Sequence, residues 1–219
     1  MTATVFSGEG SLRGQQPTLA EENGLARQGY RFVAGIDEVG RGPLAGPTVA
    51  AAVILPPGFE APWLHLVRDS KQLTAKRRES LIPHIEEASV AIGVGYAGPD
   101  VIDRVGIAPA VRLAMCSAVD SLSQPPDFLL IDFMALRELA IPQKNIIRGD
   151  SLSVSVACAS IIAKVTRDRL MTELDEVYPH YGFARHKGYG TAEHLECLRR
   201  FGPCPAHRRS FAPVRRVVV

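Results

Sequence analysis

Three short apolar segments of this chain each deliver an aspartate where they end, and that recurrence limits what the chain can fold into. Asp37 and Glu38 close the run that begins at Phe32, Asp132 closes Phe128-Leu129-Leu130-Ile131, and Asp150 follows Ile146-Ile147-Arg148-Gly149. A single aspartate in such a place is ordinarily a turn or helix cap, and Asp150, ahead of Ser-Leu-Ser, fits that description alone. The set does not. An acidic residue at the end of a buried strand is costly unless it is solvated, paired or bound to a cation, and binding crevices form at strand ends in open α/β sheets. Oxygen ligands without a nearby Cys or His set suit a hard cation, Mg²⁺ or Mn²⁺. Two such ions held close together are a standard means of hydrolysing a phosphodiester. Because successive strand residues face opposite sides, Asp37 and Glu38 can share one site only if the strand breaks at this pair, and Gly40 offers a place for the break.

Periodicity sketches the rest. Residues 32–36 and 49–55 are short, apolar and rich in β-branched or small side chains, which predicts strands. The Gly/Pro turn from Gly40 to Pro47 separates them, so an antiparallel hairpin is expected. Thr74 is placed to cap a charged helix running toward Ala88, and residues 90–97 predict a third strand. Residues 107–122 have helical spacing and stop at Gln124-Pro125-Pro126. Residues 128–131 and 145–147 predict two more strands, 151–178 one long helix with a small-residue face, and Thr191 opens a helix through Arg200. Upstream, Thr18-Leu19-Ala20-Glu21 has the form of a capping box opening a helix that ends near Gly29. Residues 1 to about 16, rich in Gly, Ser and Gln, are expected to be mobile. Three strands first, then strands alternating with helices, predict an α/β chain with a mixed sheet flanked by helices.

Composition removes several classes. With 219 residues, 46% hydrophobic and 22% charged, the chain makes one α/β domain with modest extensions. Cys116, Cys158, Cys197 and Cys204 form no CxxC pair, which suits a reducing compartment, and Cys116 and Cys158 read as buried thiols. No apolar run approaches the ~20 residues of a membrane helix, and the first residues lack the apolar core and basic lead of a signal peptide. A soluble, cytoplasmic protein without a membrane partner is expected. The net charge of +2 does not announce a polyanion ligand, although Arg199, Arg200, His207, Arg208, Arg209, Arg215 and Arg216 crowd the C-terminus; a solvated basic tail is expected there. His180, His186, His194 and His207 show no metal-ligand spacing and are assigned to the surface, His186 being the one to touch phosphate.

Four blocks then carry a resemblance. GIDEVGRGPLAGPTVAAAVIL at 35–55, Asp69-Ser70-Lys71, IIRGDSLSVSVACASIIAKVTRD at 146–168 and YGFARHKGYGT at 181–191 resemble, in order, the blocks of bacterial type 2 ribonucleases H. The likeness runs from about residue 31 to residue 212, leaving 1–30 as an N-terminal extension and 213–219 as a basic and apolar tail. It implies a ribonuclease H-like fold, a mixed five-stranded sheet flanked by helices with a helical C-terminal part. It implies an endonuclease that cuts RNA/DNA hybrids, and DNA duplexes with embedded ribonucleotides, on the 5′ side of a ribonucleotide, leaving a 3′-hydroxyl and a 5′-phosphate. By position it makes Asp37, Glu38, Asp132 and Asp150 the catalytic carboxylates and the ligands of two divalent ions, Mg²⁺ or Mn²⁺. The backbone of Gly40-Arg41-Gly42 and the hydroxyl of Tyr189 would sense the ribose 2′-OH, which distinguishes RNA from DNA. Ser70, Lys71, Lys164 and Lys187 complete the expected substrate-binding set, the lysines as phosphate contacts. A monomer acting in ribonucleotide removal and primer clearance is the picture implied. Phe133 departs from the family's pattern: many relatives have glycine there, and the ring would narrow the site or shift its loop.

Other readings fit less. Gly93-Val94-Gly95-Tyr96-Ala97-Gly98 formally matches a dinucleotide fingerprint, but that reading needs a helix beginning inside the motif, where Pro99 and Asp100 follow instead, and Asp120 lies in a helical stretch and not at a strand end. There is no phosphate-loop motif GxxxxGK[ST]. A non-catalytic binding module needs neither Asp132 nor Asp150 at those places. A type 3 ribonuclease H carries an extra N-terminal domain for which about thirty residues are too few. A resolvase-like nuclease shares the carboxylates but not the GRG and HKGYGT elements.

Overall fold

The computed structural model describes residues 16–217. The stretch expected to be mobile lies outside them up to residue 15, as do the last two residues of the tail. The apolar run at Val33 forms β1 (Val33–Val39), which turns into β2 (Thr48–Ile54), with β3 (Ala91–Ala97) beyond it. These pair antiparallel, as the short turn predicted. β4 (Phe128–Asp132) then lies parallel to β1, and β5 (Gln143–Ile146) parallel to β4, so the sheet runs β3-β2-β1-β4-β5. A parallel neighbour needs a crossover, supplied here by α3 (Pro99–Val105) and α4 (Ile107–Asp120), while α2 (Ala75–Ala88), capped by Thr74, leads from β2 into β3.

Alternation along the strands sorts the core into two faces. Ala34, Ile36, Leu129 and Ile131 pack with Ala114 and Met115 of α4. On the opposite face Val33 and Leu130 meet Val156, and Val49, Ala51 and Val53 meet Ala159 and Ile162 of α6 (Val154–Val177). Both helices lie almost on the strand backbones. A Cβ on Gly35 would sit 2.2 Å from the Ser155 carbonyl carbon, and one on Gly93 or Gly95 2.0 Å from the carbonyl oxygen of Ala118 or Ala114. Two of the three glycines that imitate a dinucleotide fingerprint, Gly93 and Gly95, are thus required by the packing of α4.

The first helix and the long helix depart from expectation together. α1 (Ala20–Arg27) is preceded by Leu19 with no side-chain cap, so the capping box does not form. Its Glu22 reaches instead to the start of α6, where Oε1 accepts from the Ser153 hydroxyl at 2.6 Å and from the Ser155 amide and hydroxyl at 2.9 and 2.7 Å. The single helix expected over 151–178 is correspondingly two, α5 (Gly149–Leu152) and α6. Between them Ser153 is extended and its hydroxyl caps α6 by accepting from the Val156 amide at 3.3 Å. Thr18 donates its amide to the Leu152 carbonyl and accepts from the Val154 amide across the same break. Distant acceptors, invisible in local periodicity, set that boundary.

The C-terminal part is helical, with α7 (Phe183–His186), α8 (Ala192–Phe201) capped by Thr191, and α9 (Ala212–Arg215), whose Val214 packs with Leu44 and Leu198. Cys158 is buried as expected, but Cys116 is only half-buried. Among the described residues no helix is long and apolar enough to cross a membrane.

Candidate active site

Parallel pairing sets Ile36 of β1 opposite Ile131 of β4, so the next residues, Asp37 and Asp132, leave neighbouring strands side by side on the α6 face. Asp150 arrives differently. It does not end a strand but sits in the first turn of α5, after Arg148 takes a left-handed conformation (φ 59°, ψ 46°). Carboxylate oxygens of Asp37, Asp132 and Asp150 lie within 4.8 Å of one another.

Glu38 enters by another route, because β1 does not break at the acidic pair. Its pairing with β2 continues through Asp37↔Ala51, Glu38↔Ala50 and Val39↔Val49. The two side chains therefore point to opposite faces, and the cross-strand bonds outweigh any tendency of Gly40 to end the strand earlier. Glu38 stands outside the three-aspartate group, yet it lines the same cleft of about 530 Å³, together with Gly40, Arg41, Gly42, Asp69, Lys71, Phe133, Ile147 and Tyr189.

The cleft concentrates negative charge. Burial, then the neighbouring Glu38 charge, holds the Asp37 carboxyl well above the usual carboxylate range, with Asp132 and Asp150 adding and a Ser160 hydrogen bond opposing. Glu38 is raised by burial and by Asp132 against the opposing Arg41 and Lys71. Asp150 is pushed up to about 6, by burial first and Asp69 next. Counter-contacts are few: Lys71 Nζ lies 3.4 Å from Asp150 Oδ2, Arg41 Nη1 3.5 Å from Glu38 Oε1, and the Gly149 amide donates to Asp132 Oδ1 at 2.8 Å. Glu38 Oε2 is buried without a hydrogen-bond partner. Crowded acids with an orphaned oxygen and no soft ligand among them fit hard divalent cations.

The other expected residues divide. Tyr189 and the Gly40–Gly42 backbone share the cleft, and a Cβ on Gly42 would meet Tyr189 Cε1 at 3.8 Å. Ser70 lies behind it, buried, accepting from Ser160 Oγ at 2.9 Å. Lys164 and Lys187 are not brought to the carboxylates. Lys164 Nζ is 2.6 Å from Asp168 Oδ1, and Lys187 Nζ donates to the Asp168 carbonyl and the Thr172 hydroxyl.

Sequence reasoning missed what holds the cleft's rim. Arg208, assigned to a solvated tail, is fully buried, and its guanidinium donates to the carbonyls of Gly40 (2.6 Å), Arg41 (3.1 Å) and Gly46 (3.0 Å). Arg167, also buried, donates to those of Pro47 (3.0 Å), Ala45 (3.1 Å) and Lys187 (3.0 Å). Two guanidinium forks thus fix the 40–47 turn against the chain before Tyr189.

Of the four histidines assigned to the surface, His180 is exposed as expected and His186 is half-buried, but two are inside. His194 and His207 are buried with Nε2 atoms 2.9 Å apart. His194 Nδ1 donates to the Tyr189 carbonyl at 2.9 Å, so its Nε2 accepts from His207, whose Nδ1 accepts from the Cys204 amide at 3.0 Å. Both rings are neutral in this chain of bonds. Burial lowers the pKa of both, with His194 further depressing His207, to about 4. His186 stacks 4.5 Å from His194, accepts from the Gly188 amide and bonds the Tyr181 carbonyl. Neither of its ring nitrogens is left for phosphate.

Comparison with known proteins shows the family. The family model described as ribonuclease HII matches residues 34–214. A ribonuclease HII of Dehalococcoides mccartyi is 53% identical over 202 residues, covering 92% of this chain and 95% of that protein. One from Geobacter sulfurreducens is 52% identical over 216 residues, covering 98% and 96%. The crystal structure of ribonuclease H2 from Pyrococcus horikoshii superposes with a TM-score of 0.70 at 27% identity, covering 84% of this chain and 96% of that one.

Proposed function

This chain belongs to the ribonuclease HII family, and on that premise we propose that it cuts on the 5′ side of ribonucleotides, in RNA/DNA hybrids and in DNA duplexes with embedded ribonucleotides, leaving a 3′-hydroxyl and a 5′-phosphate. The family is one of divalent-metal-dependent endoribonucleases acting on RNA/DNA hybrids. The observation that carries the finer reading is the convergence of Asp37, Asp132 and Asp150 within 4.8 Å, beside a buried and unpartnered Glu38 oxygen.

In this reading Asp37, Glu38 and Asp132 hold Mg²⁺ or Mn²⁺, and Asp150 completes the site. When bound, a pair of such ions supplies the nucleophile at neutral pH and offsets charge on the departing oxygen. The chain's own contribution is placement. Lys71 restrains Asp150 and offers its exposed ammonium to the phosphate. Arg167 and Arg208 hold the 40–47 turn, so the Gly40-Arg41-Gly42 backbone meets the sugar preorganised. The Tyr189 ring, adjacent to Gly42, sets its hydroxyl where a ribose 2′-OH is distinguished from hydrogen.

A DNA duplex carrying one ribonucleotide, incubated with Mg²⁺ or Mn²⁺ beside an all-DNA duplex, tests this. Cutting on the 5′ side of the ribonucleotide alone, abolished in Asp132→Asn, is the expected result. Binding without cutting under either metal would sink it.

A further inference from the structure

Phe133, next to Asp132, is held in a conformation that its own side chain disfavours. Its φ is +66°, the left-handed region in which a bulky residue is an outlier and which tends to be retained where function demands it. Burial does not compensate, since the ring is 63% exposed. Ile147, 75% exposed, is its neighbour across the β4–β5 end, where the Phe133 amide donates to the Ile146 carbonyl at 3.4 Å. Both line the carboxylate cleft. The Arg41 guanidinium lies 5.7 Å from the Phe133 ring centroid, so an apolar face and a cation stand together at the edge of the acidic group.

Neither a metal ion nor a free phosphate has a use for such a face. A nucleic acid strand does, because each nucleotide presents a flat apolar surface and an anionic phosphate within one repeat. We propose that Phe133 and Ile147 form an apolar contact for the sugar and base of a nucleotide flanking the scissile phosphate, with Arg41 on the adjoining phosphate. The contact rests on the endonuclease reading and adds to it a binding determinant on the Asp132 side of the cleft. It is indifferent to base identity, since every base has a π-face, and it acts on substrate binding rather than on the bond-breaking step.

Steady-state cleavage of a duplex with one ribonucleotide, with each base in turn beside it, tests the proposal in the unsubstituted protein, Phe133→Gly and Phe133→Trp. In Phe133→Gly KM should rise about tenfold for every flanking base, with kcat within about twofold, while the melting temperature holds or rises because glycine accepts a positive φ. Phe133→Trp should restore KM. A KM for Phe133→Gly within twofold of the unsubstituted protein's overturns the proposal, and so does a loss confined to kcat, which would make Phe133 a prop for Asp132. Failure of the unsubstituted protein to cut at all would instead overturn the endonuclease reading, and this contact with it.

Discussion

In the cleft, Asp37, Glu38 and Asp150 are crowded with like charges and few donors; behind it, Arg167 and Arg208 hand their N–H groups to carbonyls, and His194 and His207 stay neutral in a closed chain of bonds. Both regions bury ionisable groups, and the difference lies in what each leaves unfinished. The arginine–histidine region is complete in itself. The cleft is complete only with something positive added, as expected of a site whose groups must meet cation and substrate. Their responses to pH are therefore opposed. The Asp150 carboxyl, near 6 in the fold against an ordinary value of 3.8, adds stability when protonated and loses that contribution as pH rises through about 6. His207, at about 4 in the fold against 6.5, adds stability fully above 6.5 and loses it as pH falls toward 4.

The largest effect expected from breaking this contrast is in the cleft. Asp37→Asn should reduce cleavage at least about a hundredfold, since the loss of even a supporting partner of a metal ligand costs ~10–100-fold in affinity or activity. The same change should raise the melting temperature measured without divalent ions by about 2–4 °C per kcal/mol of relieved repulsion. A lower melting temperature would show that the cleft is internally satisfied after all. Next comes Arg208→Met, which strands three buried carbonyls of the 40–46 turn. A loss of about 3 kcal/mol is expected in chemical denaturation, with Lys in place of Arg restoring little, because an ammonium lacks the fork that spans separate acceptors. An unchanged denaturation midpoint would mean that the guanidinium does not hold the turn. The smallest effect is the sharpest in sign: proton resonances of the His207 ring should titrate near pH 4 and not near 6.5. A midpoint at 6.5 would place that ring in water and remove half the comparison.

What was legible in the sequence follows from range. The sheet and the meeting of Asp37 and Asp132 could be read because each rests on an apolar run of a few residues and the charge that ends it, whereas Asp150, expected by the same rule, is delivered by the first turn of α5. Glu38 was placed in the right cleft for the wrong local reason, since strand register with β2, not a broken strand, decides where it points. Arg208 and Arg209 are adjacent, one buried and one exposed, in a segment without helical or strand periodicity. Only the carbonyls at 40, 41 and 46 tell them apart. His194 and His207 are likewise buried by each other and by Tyr189, partners that no spacing rule joins.

The grip of Arg208 on Gly40, Arg41 and Gly46 spans up to 168 residues of chain. On a ribosome the turn emerges long before the guanidinium that fixes it, an interval of roughly ten to thirty seconds at ~5–20 residues per second. The carboxylate of β1 is thus made well before the contact that sets the rim beside it. A nascent chain that has released β1 but not yet Arg208 therefore carries its acids beside a turn that nothing from Arg208 yet holds.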